Sequence, residues 1–215
     1  MDEYLSLNQS DISWLGGGQA GDAQVPPWHI WEKLAAQGSG AEAYARATRD
    51  MCRVSSISEF WKYWMCIPQP SELLDGARLV REDPDGRTST IDSLMFFREG
   101  VRPEWEDPLN KSGGHFMFAF KPGCTGLHLD EQWNNIILAA LGGTLEPRDM
   151  VTGIRLVDKM ASGRNSCVRV EVWFRDFSDT AAVNQLRASV ESCMAQRLDG
   201  TPGIVPRSET KSHAD

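Results

Sequence analysis

Three stretches of the chain carry apolar residues at the spacing of an amphipathic helix. The first opens at Ser58, the second spans residues 130–141 and the third spans residues 179–198. Side chains three and four positions apart share one face of a helix, so each stretch predicts a helix that packs against the rest of the fold.

Strand patterns surround these helices. Short apolar runs lie at residues 52–57, 93–97 and 115–121, and residues 154–159 and 167–174 form a hairpin around the turn ASGRNS. In the second arm of the hairpin apolar residues alternate with polar ones, so one face is core and the other is wet or liganded. The pattern predicts an α+β fold with an antiparallel sheet backed by three helices.

Length and composition favour one folded domain with polar ends. The chain has 215 residues, of which 41% are hydrophobic, enough to bury a large core. Glycine-containing polar sequence at residues 1–25 predicts a flexible arm, residues 26–200 form the domain, and residues 201–215 predict a polar tail.

The net charge of −8 argues against binding to long stretches of nucleic acid, because such binding requires many basic residues that neutralise phosphates. A short anionic ligand in a local basic pocket is still compatible with this charge. The five cysteines are scattered and never spaced as Cys-x-x-Cys, which favours a reducing compartment. No signal peptide or membrane-spanning segment is predicted, and we expect a cytoplasmic protein, with a nuclear pool left open.

Conventional catalysis finds little support in the sequence. The four histidines are dispersed, and no nucleophile elbow or phosphate-binding loop is present. We therefore expect neither an enzyme nor a metal or organic cofactor.

Tryptophan is unusually frequent, with eight residues, and one of them lies in an uncommon loop. Residues 100–116 read GVRPEWEDPLNKSGGHF, so that Trp105 is flanked by Pro103 and by the acids Glu104, Glu106 and Asp107. An indole beside a carboxylate offers a planar cation both a π-face and hydrogen-bond acceptors. The alternative is that the tryptophan folds back as a lid on the core.

This loop resembles that of the 4E family of translation initiation factors, which bind the messenger-RNA cap. The shared pattern is Gly-x-x-Pro-x-Trp-Glu-Asp-x-x-Asn-Lys-x-Gly-Gly. Further matches lie along residues 26–177, namely Trp28 and Trp31, the helix start at residues 57–61, Trp133, Gly153 and Trp173. The resemblance implies a single domain in which three helices pack on the convex face of a curved antiparallel sheet.

The resemblance also implies how a 7-methylguanosine cap would be held. Trp105 falls on one of the two positions that stack on the base, and Glu106 falls on the position that accepts hydrogen bonds from guanine. Tyr44 is the candidate for the second stacking position, with Trp28 or Trp14 as substitutes. Methylation at N7 gives the base a positive charge, which favours stacking on indole next to a carboxylate.

The cap phosphates need cations, which the family places on the last hairpin. Lys159 and Arg169 fall on those positions, and Arg164 in the longer turn is a third candidate. Trp173 falls near the methyl group of the base in the family, although packing in the core is an equal possibility. His115 stands where many members carry a basic residue.

The opposite face binds partner helices with a Tyr-x-x-x-x-Leu motif in the family, on a scaffold protein or a repressor. Trp61 matches the central docking residue, with Ile57 and Leu138 as apolar neighbours. Asn134 and Asn135 replace a Leu and a Glu that the family commonly has, which predicts a partner with an altered motif.

The sequence therefore predicts a protein that binds the messenger-RNA cap and recruits initiation or regulatory partners. The alternative is a divergent paralogue that acts mainly as a protein-interaction module or translational repressor, with weak cap binding. A third class, a nucleotide-hydrolysing enzyme, would need a metal or base cluster that the sequence lacks.

Overall fold

The computed structural model describes residues 4–6, 23–35, 40–83, 85–123 and 126–214. The strands are β1 (Tyr4–Ser6), β2 (Gln24–Leu34), β3 (Thr48–Ser56), β4 (Arg78–Glu82), β5 (Thr88–Arg98), β6 (Gly114–Phe120), β7 (Val151–Asp158), β8 (Val168–Phe174) and β9 (Glu209–Ser212). The helices are α1 (Ala41–Ala47), α2 (Ile57–Trp64), α3 (Ser71–Leu74), α4 (Gly126–Leu141) and α5 (Thr180–Met194), with a 3₁₀ turn at Gly163–Asn165.

The strands join into one sheet in the order β1-β4-β5-β7-β8-β6-β9, with β2 paired to β5 and β3 paired to β2. All of these pairs are antiparallel except that of β1 with β4. The predicted α+β fold with an antiparallel sheet and helices is confirmed. The short helices α1 and α3 were not predicted.

The sheet has two faces with different roles. On the helical face, Phe96 of β5 and Val170 and Val172 of β8 join the main core with side chains of α2, α4 and α5. On the opposite face, which we call the open face, Phe97 of β5 and Trp173 of β8 belong to a second, smaller cluster. The predicted alternation of faces in β8 is therefore confirmed, but its open face is not wet, because Glu171 and Trp173 there are buried.

Local capping explains where α2 and α5 begin. The Ser56 hydroxyl accepts a hydrogen bond from the Glu59 backbone N–H, and the Glu59 carboxylate accepts from the Ser55 backbone N–H. This reciprocal cap starts α2 at Ile57, one residue earlier than predicted. At α5 the Asp179 carboxylate accepts from the Ala182 N–H.

The C-terminal segment differs from the predicted polar tail. Residues 209–212 form β9, which pairs antiparallel with β6 at the edge of the sheet. His213 follows this strand and is only 8% exposed. At the other end of the chain, most of the predicted flexible arm lies outside the described residues, and β2 begins within it at Gln24.

Candidate ligand-binding cleft

The loop between β5 and β6 holds Trp105 by hydrogen bonds at its base. Asn110 is fully buried, and its side-chain amide donates to the carbonyls of Arg102 and Glu104 at 2.8 and 2.9 Å. The Asp107 carboxylate accepts from the Arg102 backbone N–H at 2.9 Å. The loop leaves Trp105 49% exposed, so about half of its surface is open to a ligand.

Trp105 lines a cleft of about 550 Å³ between this loop and α1. The cleft brings together three residues that the sequence analysis assigned to one site, namely Tyr44, Trp105 and Glu106. Its other lining residues are Gly40, Ala41, Glu42, Ala45, Pro103, Glu104 and Arg155. Of the substitutes for Tyr44, Trp28 is buried in the main core and Trp14 lies outside the described residues.

Tyr44 is fixed across the cleft from the loop. Its hydroxyl donates to the carbonyl of Pro103 at 2.9 Å, which ties α1 to the loop that carries Trp105. The Lys33 ammonium and the Arg155 guanidinium lie 5.5 and 5.9 Å from the centre of its ring. Burial raises the pKa of the Tyr44 hydroxyl, which therefore stays protonated and keeps donating to Pro103.

The charges around Trp105 are mainly negative. Glu42, Glu104 and Glu106 line the cleft, against a single lining cation, Arg155. Glu104 already pairs with Arg102 at 2.8 Å, whereas the carboxylate of Glu106 makes no hydrogen bond or salt bridge to any described residue. Glu106 is therefore the carboxylate with acceptor capacity left for a ligand.

Arg155 is a cleft residue that the sequence analysis missed. It lies on β7, 14% exposed at its side chain, and its guanidinium is 3.6 Å from the carboxylate of Glu171 on β8. Lys159 lies four positions further along the chain, and residues at even spacing on a strand share a face. The even spacing from the predicted cation Lys159 was the sequence signal that could have identified Arg155.

The predicted hairpin cations lie away from the cleft lining. Arg169 pairs with Val157 on the open face, one step of the hairpin beyond the pair of Arg155 and Glu171, and its Nε is buried without a partner among the described residues. Lys159 follows β7, about 13 Å of strand beyond Arg155. Arg164 is exposed in the 3₁₀ turn. Arg169 therefore lies on the open face, whereas Lys159 and Arg164 lie beyond the end of β7.

Trp173 and His115 are packing residues in this structure. Trp173 is 1% exposed, does not line the cleft, and donates from its indole N–H to Glu171 at 3.1 Å. Of the two possibilities given for Trp173, packing in the core is the one observed, and Phe97 packs edge-on against it with ring centres 5.3 Å apart. Burial lowers the pKa of His115 to about 4, so this residue supplies no positive charge near neutral pH.

The helical face leaves two of its three predicted partner residues exposed. Trp61 is 43% exposed and Leu138 38% exposed, whereas Ile57 is partly buried against the core. Trp64, one turn after Trp61, donates its indole N–H to the side chain of Asn134, one turn before Leu138, at 2.7 Å. This bond fixes α2 against α4.

The two asparagines of α4 are occupied within the protein. The amide of Asn134 donates to the side chain of Gln69 at 2.9 Å, and the amide of Asn135 donates to the carbonyl of Gln196 at 2.8 Å. Neither side chain supplies the apolar contact or the negative charge of a Leu and a Glu.

Other kinds of site find no support among the described residues. No group of three or more His, Cys, Asp or Glu could hold a metal ion there. In the same ranges, no helix is long and apolar enough to cross a membrane. The cleft therefore presents an exposed indole and an unpaired carboxylate, two groups with chemistry suited to a flat, cationic ring.

Comparison with known proteins identifies the family. The profile of eukaryotic initiation factor 4E matches residues 26–201, and the chain therefore belongs to this family. It is 30% identical over 184 residues to eukaryotic translation initiation factor 4E-1 of Schizosaccharomyces pombe, covering 86% of this chain and 70% of that protein. It is also 30% identical over 162 residues to eukaryotic translation initiation factor NCBP of Triticum aestivum, covering 75% of this chain and 60% of that protein.

Solved structures share the fold. The complex of Ascaris suum eIF4E-3 with an m2,2,7G cap has a TM-score of 0.64 at 16% identity, covering 86% of this chain and 98% of that one. A schistosome eIF4E complexed with m7GpppA and 4E-BP has a TM-score of 0.64 at 13% identity, covering 83% and 85%.

Proposed function

We propose that the cleft binds the 7-methylguanosine cap of messenger RNA and that the protein is a non-enzymatic translation factor acting in the cytoplasm. The observation that carries this proposal is the cleft itself, which joins an exposed Trp105, the unpaired carboxylate of Glu106 and the ring of Tyr44. The base stacks on Trp105, and Glu106 accepts from the N–H groups of guanine. Tyr44 supplies the second aromatic wall.

The phosphates run from the cleft along the open face. Arg155 is the first cation they meet, and Arg169 and Lys159 lie further toward the hairpin end. Arg164, in the exposed turn, contacts the more distant part of the chain of phosphates and nucleotides. Arg155 and Arg169 share one face because Arg155 pairs with Glu171, and Arg169 lies two residues before Glu171 on the same strand.

Charge explains the expected selectivity for the methylated base. A cation over an indole contributes up to about 2 kcal/mol when desolvated, which corresponds to about 30-fold in affinity. Unmethylated guanine lacks that charge, so it gains neither the cation–π attraction to the indole nor the attraction to the acidic residues of the cleft. We therefore expect 7-methyl-GTP to bind at least tenfold more tightly than GTP.

Tryptophan fluorescence titration with 7-methyl-GTP and GTP tests the proposal on the full chain. Trp105→Ala removes most of the quenching and of the affinity for 7-methyl-GTP, and Glu106→Gln weakens binding about tenfold. Leu109→Ala is the matched control, because Leu109 is 46% exposed on the same loop and does not line the cleft. Equal affinities for the two nucleotides would refute cap binding.

We also propose that the helical face recruits a protein partner through Trp61 and Leu138, with Ile57 as a partly buried neighbour. An exposed indole on a helix is a common centre of binding energy in interfaces. Because Asn134 and Asn135 are bonded within the protein, the partner carries a variant of the Tyr-x-x-x-x-Leu helix.

The alternative function is a protein-interaction module or repressor with weak cap binding. Retention on a cap resin and capture of an initiation-scaffold peptide separate the two. Under the cap-binding proposal Trp105→Ala abolishes resin retention and Trp61→Ala does not. Under the alternative, the wild-type protein is itself poorly retained by the resin while Trp61→Ala still abolishes peptide capture.

A further inference from the structure

The C-terminal segment contacts Trp105 of the cleft through His213. The imidazole of His213 lies parallel to the indole of Trp105, with ring centres 5.8 Å apart and an angle of 11° between the planes. A parallel neighbour on one side of an indole leaves the other side for a ligand. The support for Trp105 thus comes from a residue 108 positions away in the chain.

His213 is held in this place from three directions. Its backbone N–H donates to the carbonyl of Gly113 at 3.0 Å, which continues the pairing of β9 with β6. Its ring contacts His115 through a hydrogen bond of 3.0 Å and packs against Trp173 with ring centres 4.4 Å apart. The ring therefore has a single well-defined orientation under the indole.

The hydrogen bonds of the ring assign its protons. Nδ1 of His213 lies 2.9 Å from the carbonyl of Asn110, which can only accept, so Nδ1 carries the hydrogen. In the neutral ring Nε2 then accepts from Nδ1–H of His115. Burial lowers the pKa of His213, so the ring under Trp105 is uncharged near neutral pH.

These contacts connect His213 both to the indole of Trp105 and to the loop that carries it. Asn110 accepts from His213 through its carbonyl and, through its side chain, donates to the carbonyls of Arg102 and Glu104, which precede Trp105 in the loop. An uncharged ring beneath the indole also leaves its π-electrons available to a cation on the other side.

We infer that His213 is a positioning residue of the cap site, which holds the indole of Trp105 in the plane that receives the methylated base. This inference rests on the proposed cap-binding function. It extends the binding site to His213, which follows β9 in the part of the chain predicted to be a polar tail.

Four full-length variants test the inference by titration with 7-methyl-GTP. His213→Ala binds about tenfold more weakly, because the indole loses its stacking neighbour. His213→Phe restores a ring and recovers affinity to within about threefold of wild type. His213→Asn can donate to the Asn110 carbonyl but has no ring to stack, and it stays as weak as His213→Ala. Glu209→Gln, exposed on β9, is the matched control and binds as wild type does.

A readout without ligand keeps the test independent of the proposed function. The indole N–H resonance of Trp105, assigned by its loss in Trp105→Phe, shifts and broadens in His213→Ala and stays sharp in His213→Phe. If wild type fails to bind 7-methyl-GTP, cap binding is refuted while this resonance still decides the role of His213. An unmoved resonance in His213→Ala, or a His213→Phe variant as impaired as His213→Ala, would overturn the inference.

Discussion

The buried pair of His115 and His213 makes folding stability depend on pH. His115 is 5% exposed, and burial lowers its pKa from 6.5 to about 4, with the carboxylate of Glu171 opposing the shift only in part. In the unfolded chain the same residue takes up a proton near pH 6.5. Acid therefore favours the unfolded state.

The size of the effect follows from the two pKa values. A lowered pKa in the folded state means that the stability is fully present above pH 6.5 and is lost as the pH falls toward 4. At about 1.4 kcal/mol per pKa unit, the difference between 6.5 and about 4 is worth about 3 kcal/mol. About 2 kcal/mol of this is lost between pH 7 and pH 4.5. Burial lowers the pKa of His213 too, which adds to the loss.

The assay is urea unfolding at a series of pH values for wild type and His115→Gln. Glutamine does not titrate, and its amide can donate to Nε2 of His213 as His115 does. We expect wild type to lose about 2 kcal/mol more free energy of unfolding than the variant between pH 7 and pH 4.5. His213 is present in both proteins, so its contribution largely cancels. Parallel pH profiles for the two proteins would refute the reasoning.

Three further predictions concern the loop, the cleft and the helical face. A Cβ at position 113 would lie 1.8 Å from the backbone oxygen of Phe174, so Gly113→Ala lowers the melting temperature by roughly 10 °C in a thermal scan. Arg155→Gln weakens binding of 7-methyl-GTP about tenfold but that of 7-methylguanosine less than threefold, as measured by fluorescence titration. Trp61→Ala abolishes capture of a scaffold peptide and leaves the affinity for 7-methyl-GTP within twofold of wild type.

Each of these has a control or a contradicting result. Ser112→Ala, at the neighbouring exposed position, leaves the melting temperature unchanged. Arg155→Lys retains the charge and most of the affinity, and an equal loss for nucleotide and nucleoside would show that Arg155 does not contact the phosphates. Peptide capture by Trp61→Ala at the wild-type level would exclude Trp61 from the interface.

Much of the fold could be predicted from the sequence because its signals are local. The alternation in β8, the cap at Ser56 and the hairpin of β7 and β8 each involve residues close together in the chain. The loop around Trp105 is likewise a continuous motif, and its own side chains hold it through Asn110 and Asp107.

Other parts of the site depend on which strands pair and in what register. Arg155 reaches the cleft because β7 lies next to β5 in the sheet, and Trp173 is buried because Phe97 of β5 covers it. The sequence does not show that the side chains of Asn134 and Asn135 form hydrogen bonds with Gln69 and Gln196. These outcomes require the positions of residues far apart in the chain.

The sequence by itself determined the type of fold and the family, and its loop motif predicted that Trp105 and Glu106 share one cleft. It could do so because a rigid local loop carries these residues. Only the tertiary structure showed that His213 stacks on the indole of Trp105 and that Arg155 is the cation that lines the same cleft. His213 reaches Trp105 through the pairing of β9 with β6, and the short polar segment that carries it has no apolar pattern of its own to predict a strand.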